Sequence, residues 1–582
     1  MFNRYYQDEL LYLRELGEEY ARAHPTAAHM LAGPGADPDV ERLLEGFAFL
    51  SARIRQKLDD ELPEVTHGLM ALLAPHYLRP VPAATIVEFQ PILAALRQSR
   101  TVERGIEIQS VPVEGTPCRF RTTSAVVLSP LSLEEVRMES APGRSSLVLE
   151  FRLWNQVRPE NLDLRRLRLH LHGDPGLTYP LYHELRTRVA EAWAARMPAE
   201  ATGPRLPLHL EPAGFAEEEA LLEYPARSFS GYRLLQEYFA LPQKYLFLDV
   251  IGLERLSEIA PGDRFRVVID FDHALPAALR PGREEVRLYC TPVVNLFPHE
   301  ADPFHVDRTR SEYRLRPSGK DPFHYEIYSV DGVTASVPGD PVDHEIPDFY
   351  SFAHPPAEAG RVVHYSVRPR ASVVDGRTDT YLAFVDAPGA PAILDAETVN
   401  VRLTCTNRRL PEGLRAGDIQ VPTDSSPEFV RFRNLSVPFP SLPAPLDGDL
   451  HWRLLSHLAL NYLSITRLEA LRGVLSLYNF QTLRDAQAAR ANTRRLQGIA
   501  AITSEPEDLL VKGSLVRGTA IRLEMQEDHF AGAGDLYLFA SVLNEFFALH
   551  AGLNTFTRLT VRETTRGEVY QWPPRSGRRF LI

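Results

Sequence analysis

Val40, Leu43 and Leu44, Phe47, Leu50, Ile54 and Leu58 follow one another at intervals of three and four residues. An α-helix turns once in about 3.6 residues, so this spacing lays a single apolar stripe about 28 Å long on one face. The opposite face carries Glu41, Arg42, Glu45, Arg55, Gln56 and Asp59. Asp37 is placed to cap the helix, and Pro38 sits in the first turn, where a missing N–H costs little. Pro63 is expected to end this helix or to start a shorter one through Leu69, Leu72 and Leu73. An earlier helix is expected from Tyr5 to about His24, with Tyr6, Leu10, Leu13, Leu16 and Tyr20 at the same spacing. The segment PHYLRPVP, Pro75 to Pro82, then breaks helical structure. Residues 1–82 therefore read as a helical arm. Helices of this size bury too little apolar area to be stable alone, so the stripe is expected to pack against other protein.

Beyond residue 82 the period changes from 3.6 to 2. Thr85–Phe89, Ser146–Leu153, Leu167–His172, Tyr245–Val250 and Phe265–Phe271 read as strands, several alternating apolar with polar. Helical insertions are expected at Leu181–Met197 and Gly231–Leu241. The 47 prolines imply many turns and edge strands. We read residues 83–300 as a β-rich domain with helical insertions, and residues 301–446 as a second β-rich domain, sandwich-like or barrel-like. After the spacer VPFPSLPAPLDGD, residues 447–582 read as a C-terminal α/β domain. Helices are expected there at His451–Ile465, Arg467–Tyr478 and Gly534–Leu549, with a further helical run near Ala486–Ala491. Gly513–Met525 reads as two strands around a turn, and Thr555–Arg562 as a strand. The fold class is multidomain α+β.

A chain of 582 residues with a net charge of −12 lacks the overall cationic surface that nucleic-acid binding calls for. Cys118, Cys290 and Cys405 lie far apart and form no CxxC pair, which suits free thiols in a reducing compartment. The acidic, tyrosine-bearing start has no signal-peptide core, and no stretch approaches 18 apolar residues. A cytoplasmic location is expected.

Chemical candidates are few. His170 and His172 are two apart on a strand and share a side, yet no third metal ligand can be assigned, so exposed strand residues are the simpler reading. Asp343, His344 and Glu345 are consecutive and point alternately on an extended chain. His299, His305 and Asp307 fall in a loop-like segment. Gly532 and Gly534 precede a helix without the third glycine or the Lys-Ser/Thr of a phosphate loop, so Asp535 as helix cap explains them better. Ser318-Gly319-Lys320 continues into Asp321 and is no P-loop, and no GxSxG elbow occurs. No catalytic, cofactor or metal residue is assigned. The tail Tyr570–Arg579 mixes aromatic, proline and arginine residues, the types enriched at binding hot spots. Folding back on its own domain and capture of a partner are equally open for it.

Long segments resemble one family. The opening YYQDELLYLRELGEEYARAHP, the helix DPDVERLLEGFAFLSARIRQKLDDELPE and HYLRPVP resemble the TssF-type (VasA/ImpG-type) baseplate subunit of the bacterial type VI secretion system. So do SFSGYRLLQEYFALPQKYLFLDV, CTPVVNLFPHEADPF, RLTCTNRRLP, WRLLSHLALNYLS and the terminal AGAGDLYLFASVLNEFFALHAGLNTFTRLTVRE and GEVYQWPPRSGRR, in family order. The resemblance implies a non-enzymatic wedge subunit similar to those of contractile phage tails. Implied partners are a TssG-type subunit, a second copy of this chain, a TssE-type sheath initiator, a TssK-type adaptor and a VgrG-type spike hub. The implied role is to template tube and sheath assembly and to release contraction. Related wedges send N-terminal helices into a shared bundle, which makes Tyr6, Leu10, Leu13, Val40, Leu43, Leu44, Phe47, Leu50, Ile54, Leu58, Trp572 and Arg575 the expected interface residues. Alternatives are a wedge of another contractile injection system or phage tail, a metal- or carbohydrate-active β-sandwich enzyme, and a carbohydrate-binding module.

Overall fold

A computed structural model describes residues 6–7, 10, 13–14, 38–198, 203–225, 228–260, 262–306, 310–319, 321–336, 342–350, 363–372, 377–385, 398–446, 454, 465–511 and 514–577. The chain forms two compact units, one of residues 1–74 with 447–452, the other of residues 75–446 with 453–582.

In the first unit a helix of 36 residues, α1 (Pro38–Leu73), runs without interruption. Pro63 neither ends it nor starts another, contrary to the sequence reading. Its missing N–H removes one rung from a ladder long enough to keep its course. The expected helix at His451–Ile465 lies almost entirely outside the described residues.

The second unit is strand-rich. An antiparallel sheet of eight strands runs in the order Val286–Leu288, Leu167–Leu171, Phe247–Ile251, Leu206–Ala213, Val189–Arg196, Arg264–Phe271, Arg144–Leu153 and Leu131–Ala141. The expected strands thus fall within a residue or two of their observed limits. The insertion expected as one helix at Leu181–Met197 is instead a helix, α2 (Pro175–Thr187), followed by the strand Val189–Arg196. Asp174 caps α2 by accepting from Gly176 N–H at 2.7 Å, with Pro175 in the first turn. These start signals lie upstream of the apolar run and shift the helix towards the N-terminus. The second insertion is α3 (Ser230–Ala240), every residue of which is buried.

A six-stranded sheet takes Ile419–Pro422, Glu107–Val113, Thr116–Thr122, Cys290–Val294, Ala84–Pro91 and Val430–Asn434 in that order. It draws strands from both sides of the boundary expected near residue 300. Asn295 and Asn407 lock that crossing, since Asn407 N–H donates to Asn295 Oδ1 at 2.6 Å and Asn295 Nδ2 donates to Asn407 Oδ1 at 2.9 Å. Beside it, strands between Phe297 and Thr406 form a five-stranded and a three-stranded sheet around Phe297, Val333, Leu382, Val399, Leu403 and Cys405.

The C-terminal part contains α4 (Leu468–Leu477), α5 (Ala486–Gln497) and α6 (Ala533–Leu549). Ile499–Val511 pairs antiparallel with Ser514–Met525, and the latter pairs parallel with Phe556–Glu563. Gly513–Met525 is therefore not two strands around a turn. A Cβ on Gly518 would lie 2.4 Å from the Phe556 ring, so this glycine serves a close approach of two strands rather than a bend. α6 is buried along nearly its whole length, as its apolar surface demands. Its cap position is Gly532, with φ 109°, not Asp535. The fully buried Asp535 carboxylate reaches back to accept from Ala531 N–H at 3.0 Å and from Arg495 Nε at 2.9 Å. A Cβ on Gly534 would lie 2.2 Å from the Tyr179 carbonyl oxygen, which sets how closely α6 packs on α2.

Candidate functional site

None of the chemical candidates is gathered into a reaction centre, and among the described residues no three His, Cys, Asp or Glu side chains converge for a metal. His170 is not the exposed strand residue expected from sequence. It is 1% exposed, lies opposite Phe247 in the sheet and packs on that ring with centroids 4.4 Å apart. Burial pushes its pKa down to about 3, and the neighbouring His172, also lowered by burial, has its ring 6.2 Å away. Asp343, His344 and Glu345 are all exposed, the latter two at the start of an edge strand. His299 bonds to the Ser318 carbonyl at 2.7 Å and stacks on Tyr325. His305 lies in a two-residue strand, and Asp307 lies outside the described residues. The three cysteines are free and buried, with burial pushing the Cys118 thiol up to about 12 and the other two up as well. No described helix is long and apolar enough to cross a membrane.

Two features stand out instead. The first lies on α1. Ala48 and Ala52 are fully buried, and Glu41, at the same helical azimuth, pairs with Arg14. Leu43, Phe47 and Leu50 are 74%, 58% and 60% exposed. At about 100° per residue the two sets lie about 150° apart. Around Glu41–Ala52 the helix therefore packs at home through small residues and the Glu41–Arg14 ion pair, and turns large apolar side chains to solvent. Val40 and Leu44 are half-buried between the two faces, as are Tyr6, Leu10 and Leu13 upstream. Ile54 and Leu58 continue along α1, their side chains lying outside what is described. Trp572 stacks on Tyr537 of α6 with centroids 5.2 Å apart, and Arg575 pairs with Glu545 of the same helix. The tail is thus folded against its own unit, as the strand Arg575–Ser576 pairs with Phe556–Glu563.

The second feature was not anticipated. Glu237 of α3 is fully buried and accepts from Lys244 Nζ at 2.6 Å, Leu221 N–H at 2.8 Å and Leu222 N–H at 3.0 Å. Lys244, also fully buried, donates to the Gly214 carbonyl at 2.7 Å. Burial alone would raise the Glu237 carboxyl, but the charges of Lys244 and Arg233 hold it below the usual carboxylate range. Burial also pulls the Lys244 ammonium down, against the attraction of Glu237. Nearby, Arg168 donates to both Asp249 oxygens, at 2.7 and 2.8 Å, and pairs with Glu219. Its only sequence signal is a pair of opposite charges inside the apolar run QEYFALPQKYLFL, where unpaired ions would be too costly to bury. This charge cluster holds α3, the Gly214–Leu222 segment and the strand Phe247–Ile251 together.

A family model described as "Type VI secretion system, TssF" matches residues 1–579. The type VI secretion system component TssF1 of Pseudomonas aeruginosa is 32% identical over 619 aligned residues, covering 99% of this chain and 98% of that protein. A chain in the cryo-electron microscopy structure of the TssK-TssF-TssG baseplate subcomplex superposes with TM-score 0.78 and 36% identity, covering 93% of this chain and 99% of that one. A chain in the baseplate complex of the type VI secretion system gives TM-score 0.60 at 30% identity, with both chains fully covered.

Proposed function

The chain belongs to the TssF family of the type VI secretion system and is a baseplate component, and on that premise we propose that α1 is its assembly arm. The outward stripe Leu43–Phe47–Leu50 docks on a TssG-type subunit, the kind of protein that shares the similar subcomplex with TssF and TssK. The observation that carries this reading is the division of labour on one helix. Its small face is packed within its own unit, and Leu43, Phe47 and Leu50 on its large apolar face are exposed. Exposed apolar stripes of this kind are characteristic of helices that complete a bundle with another subunit.

The protein acts as a non-enzymatic wedge on the cytoplasmic side of the inner membrane. In the full assembly it contacts a TssK-type adaptor, a second copy of itself, a TssE-type sheath initiator and a VgrG-type hub. There it templates tube and sheath growth and releases contraction. Membership of a family of baseplate components supports a structural role over a β-sandwich enzyme. Burying three to five such side chains contributes on the order of 5–12 kcal/mol gross before the cost of association.

The test is co-purification from cells expressing the chain with the TssG-type subunit of its own system. Leu43→Asp combined with Phe47→Asp is expected to abolish recovery of the complex while leaving the melting profile of the second unit unchanged. Undiminished recovery would refute the docking role of α1.

A further inference from the structure

The eight-stranded sheet buries one face deeply, with Leu147, Leu149, Phe151, Phe265, Val267 and Ile269 at 0–1% exposure. Side chains alternate along a strand, so the residues between these look the other way. There Val148, Trp193, Ala195 and Val268 form a small apolar cluster of their own. Around it, towards the Arg264 end of the strands, stand Arg152, Arg205, Arg264 and Arg266. Arg205 and Arg264 are exposed, and Arg152 and Arg266 are half-buried.

Three of the four rest on aromatic rings. Arg205 and Arg266 lie over the Trp193 ring, 4.2 and 5.4 Å from its centroid, and Arg152 lies over the Trp154 ring at 4.4 Å. The rings are themselves fixed, since Trp193 Nε1 donates to Asp270 at 2.9 Å and Trp154 Nε1 to Ser132 at 2.8 Å. A guanidinium laid over a ring is held in place without using up its N–H donors. None of the four guanidinium groups forms an ion pair or a hydrogen bond with a described residue, and the Arg266 Nε–H is buried without a partner.

The surrounding carboxylates are engaged elsewhere. Glu150, opposite Arg266 in register, pairs with Arg137, as does Glu135. Glu134 accepts from Ser132, and Asp270 accepts from Trp193 and Ser146. Glu191 stands opposite Asp270, towards the other end of the strands. The exposed Asp263 precedes Arg264, and one carboxylate leaves four arginines with an excess of positive charge. Arg152 and Arg264 also face each other directly across their two strands, a placing of like charges that lowers stability. A sheet face that gathers like charges and fixes them on two tryptophans is matched by an anionic partner.

We propose that this face docks an aspartate- or glutamate-rich segment of a neighbouring baseplate subunit. A carboxylate fits the planar N–H edge of arginine with two parallel hydrogen bonds. A nucleic acid fits less well, because its long phosphate chain would run past the patch over a protein of net charge −12. A short acidic segment meets only the arginines, with charges more than about 8 Å away screened. That the segment comes from a neighbouring subunit rests on the assembly role above; the preference for carboxylates stands on the arginines themselves.

The test uses the full-length chain alone, with rhodamine-labelled hexa-glutamate as the probe, followed by anisotropy at low salt and competed with unlabelled hexa-glutamate. Saturable, competable binding is expected, weakening as salt is raised. Arg152→Gln with Arg264→Gln is expected to weaken it about tenfold, while relief of the opposed charges keeps or raises the melting temperature. Arg205→Lys, which keeps the charge and loses the planar fork, is expected to weaken it about threefold. Arg517→Gln with Arg522→Gln, exposed on the strand Ser514–Met525, serves as a remote control and should change nothing. No binding by the unaltered chain would overturn the proposal. So would undiminished binding after Arg152→Gln with Arg264→Gln, an equal loss in the remote variant, or tighter binding of hexa-thymidylate than of hexa-glutamate. Because no partner is present, failure here leaves the α1 reading standing, and failure of co-purification leaves the arginine face standing.

Discussion

Lys244 Nζ and a Glu237 carboxylate oxygen lie 2.6 Å apart with both side chains wholly out of solvent. A buried pair of this kind is weak evidence of net stabilisation, but removing one partner strands the other. Glu237→Gln is therefore expected to lower stability by about 3–5 kcal/mol, read by denaturant melting of the full chain. Glu237→Leu with Lys244→Met should cost clearly less than the sum of the two single changes. Additive losses would show that the two side chains act independently.

Acid sensitivity should trace to buried histidines. Burial lowers His76 and His170 to about 3 and His550 to about 4. Folding thus favours the neutral ring, so the stability is fully present above the unfolded value near 6.5 and is lost as pH falls through the window below it. Within that window each histidine contributes a slope of about 1.4 kcal/mol per pH unit. His170→Phe keeps an aromatic ring against Phe247 and should flatten the melting-temperature profile between pH 6.5 and 4. An unchanged slope would mean that His170 titrates alike in both states.

Two glycines in helices should respond in opposite directions. Gly534→Ala drives a methyl to within 2.2 Å of the Tyr179 carbonyl and is expected to separate α6 from α2, with a loss of several kcal/mol. Gly46→Ala meets nothing within 4 Å on α1 and should raise helix stability by about 0.5–1 kcal/mol. Calorimetry of both variants checks the contrast.

Leu510 and Leu515 face each other across the hairpin at 71% and 70% exposure, beyond the point at Gly518 where the third strand joins. Leu510→Glu with Leu515→Lys should leave the melting temperature within a degree or two and reduce self-association of the isolated chain. Light scattering at rising concentration gives the readout.

The sequence pattern disclosed the strands of the second unit wherever apolar and polar residues alternate, as in Arg144–Leu153, because burial of one sheet face imposes that period. It disclosed the stripe on α1 through its helical period, although Leu43, Phe47 and Leu50 are exposed in this chain. It did not disclose which face of α1 packs at home. That choice rests on Ala48 and Ala52, too small to register as a stripe, and on Glu41, whose partner Arg14 lies 27 residues earlier. The helix expected to run to Met197 failed at Arg188, where local capping outweighed an apolar run compatible with both helix and strand. The Glu237–Lys244 cluster escaped notice because its partners at Gly214, Leu221 and Leu222 come from a separate segment. Arg575 was singled out for its residue type, yet its partner Glu545 lies 30 residues earlier in the chain.

The six-stranded sheet has a consequence for how the protein is made. Ala84–Pro91 is hydrogen-bonded on one side to Cys290–Val294 and on the other to Val430–Asn434. Tyr77 and His76 bond to Leu477 and Tyr478, about 400 residues on. A ribosome delivers the N-terminal strand long before the residues that flank it, so for most of synthesis that strand has two open edges. Closing such distant pairings is slow, and the waiting edges are sites where nascent chains can pair with one another. Emergence of Val430–Asn434 is then the event that completes the sheet. A chain interrupted before residue 430 leaves an open template for aggregation instead of a smaller folded protein.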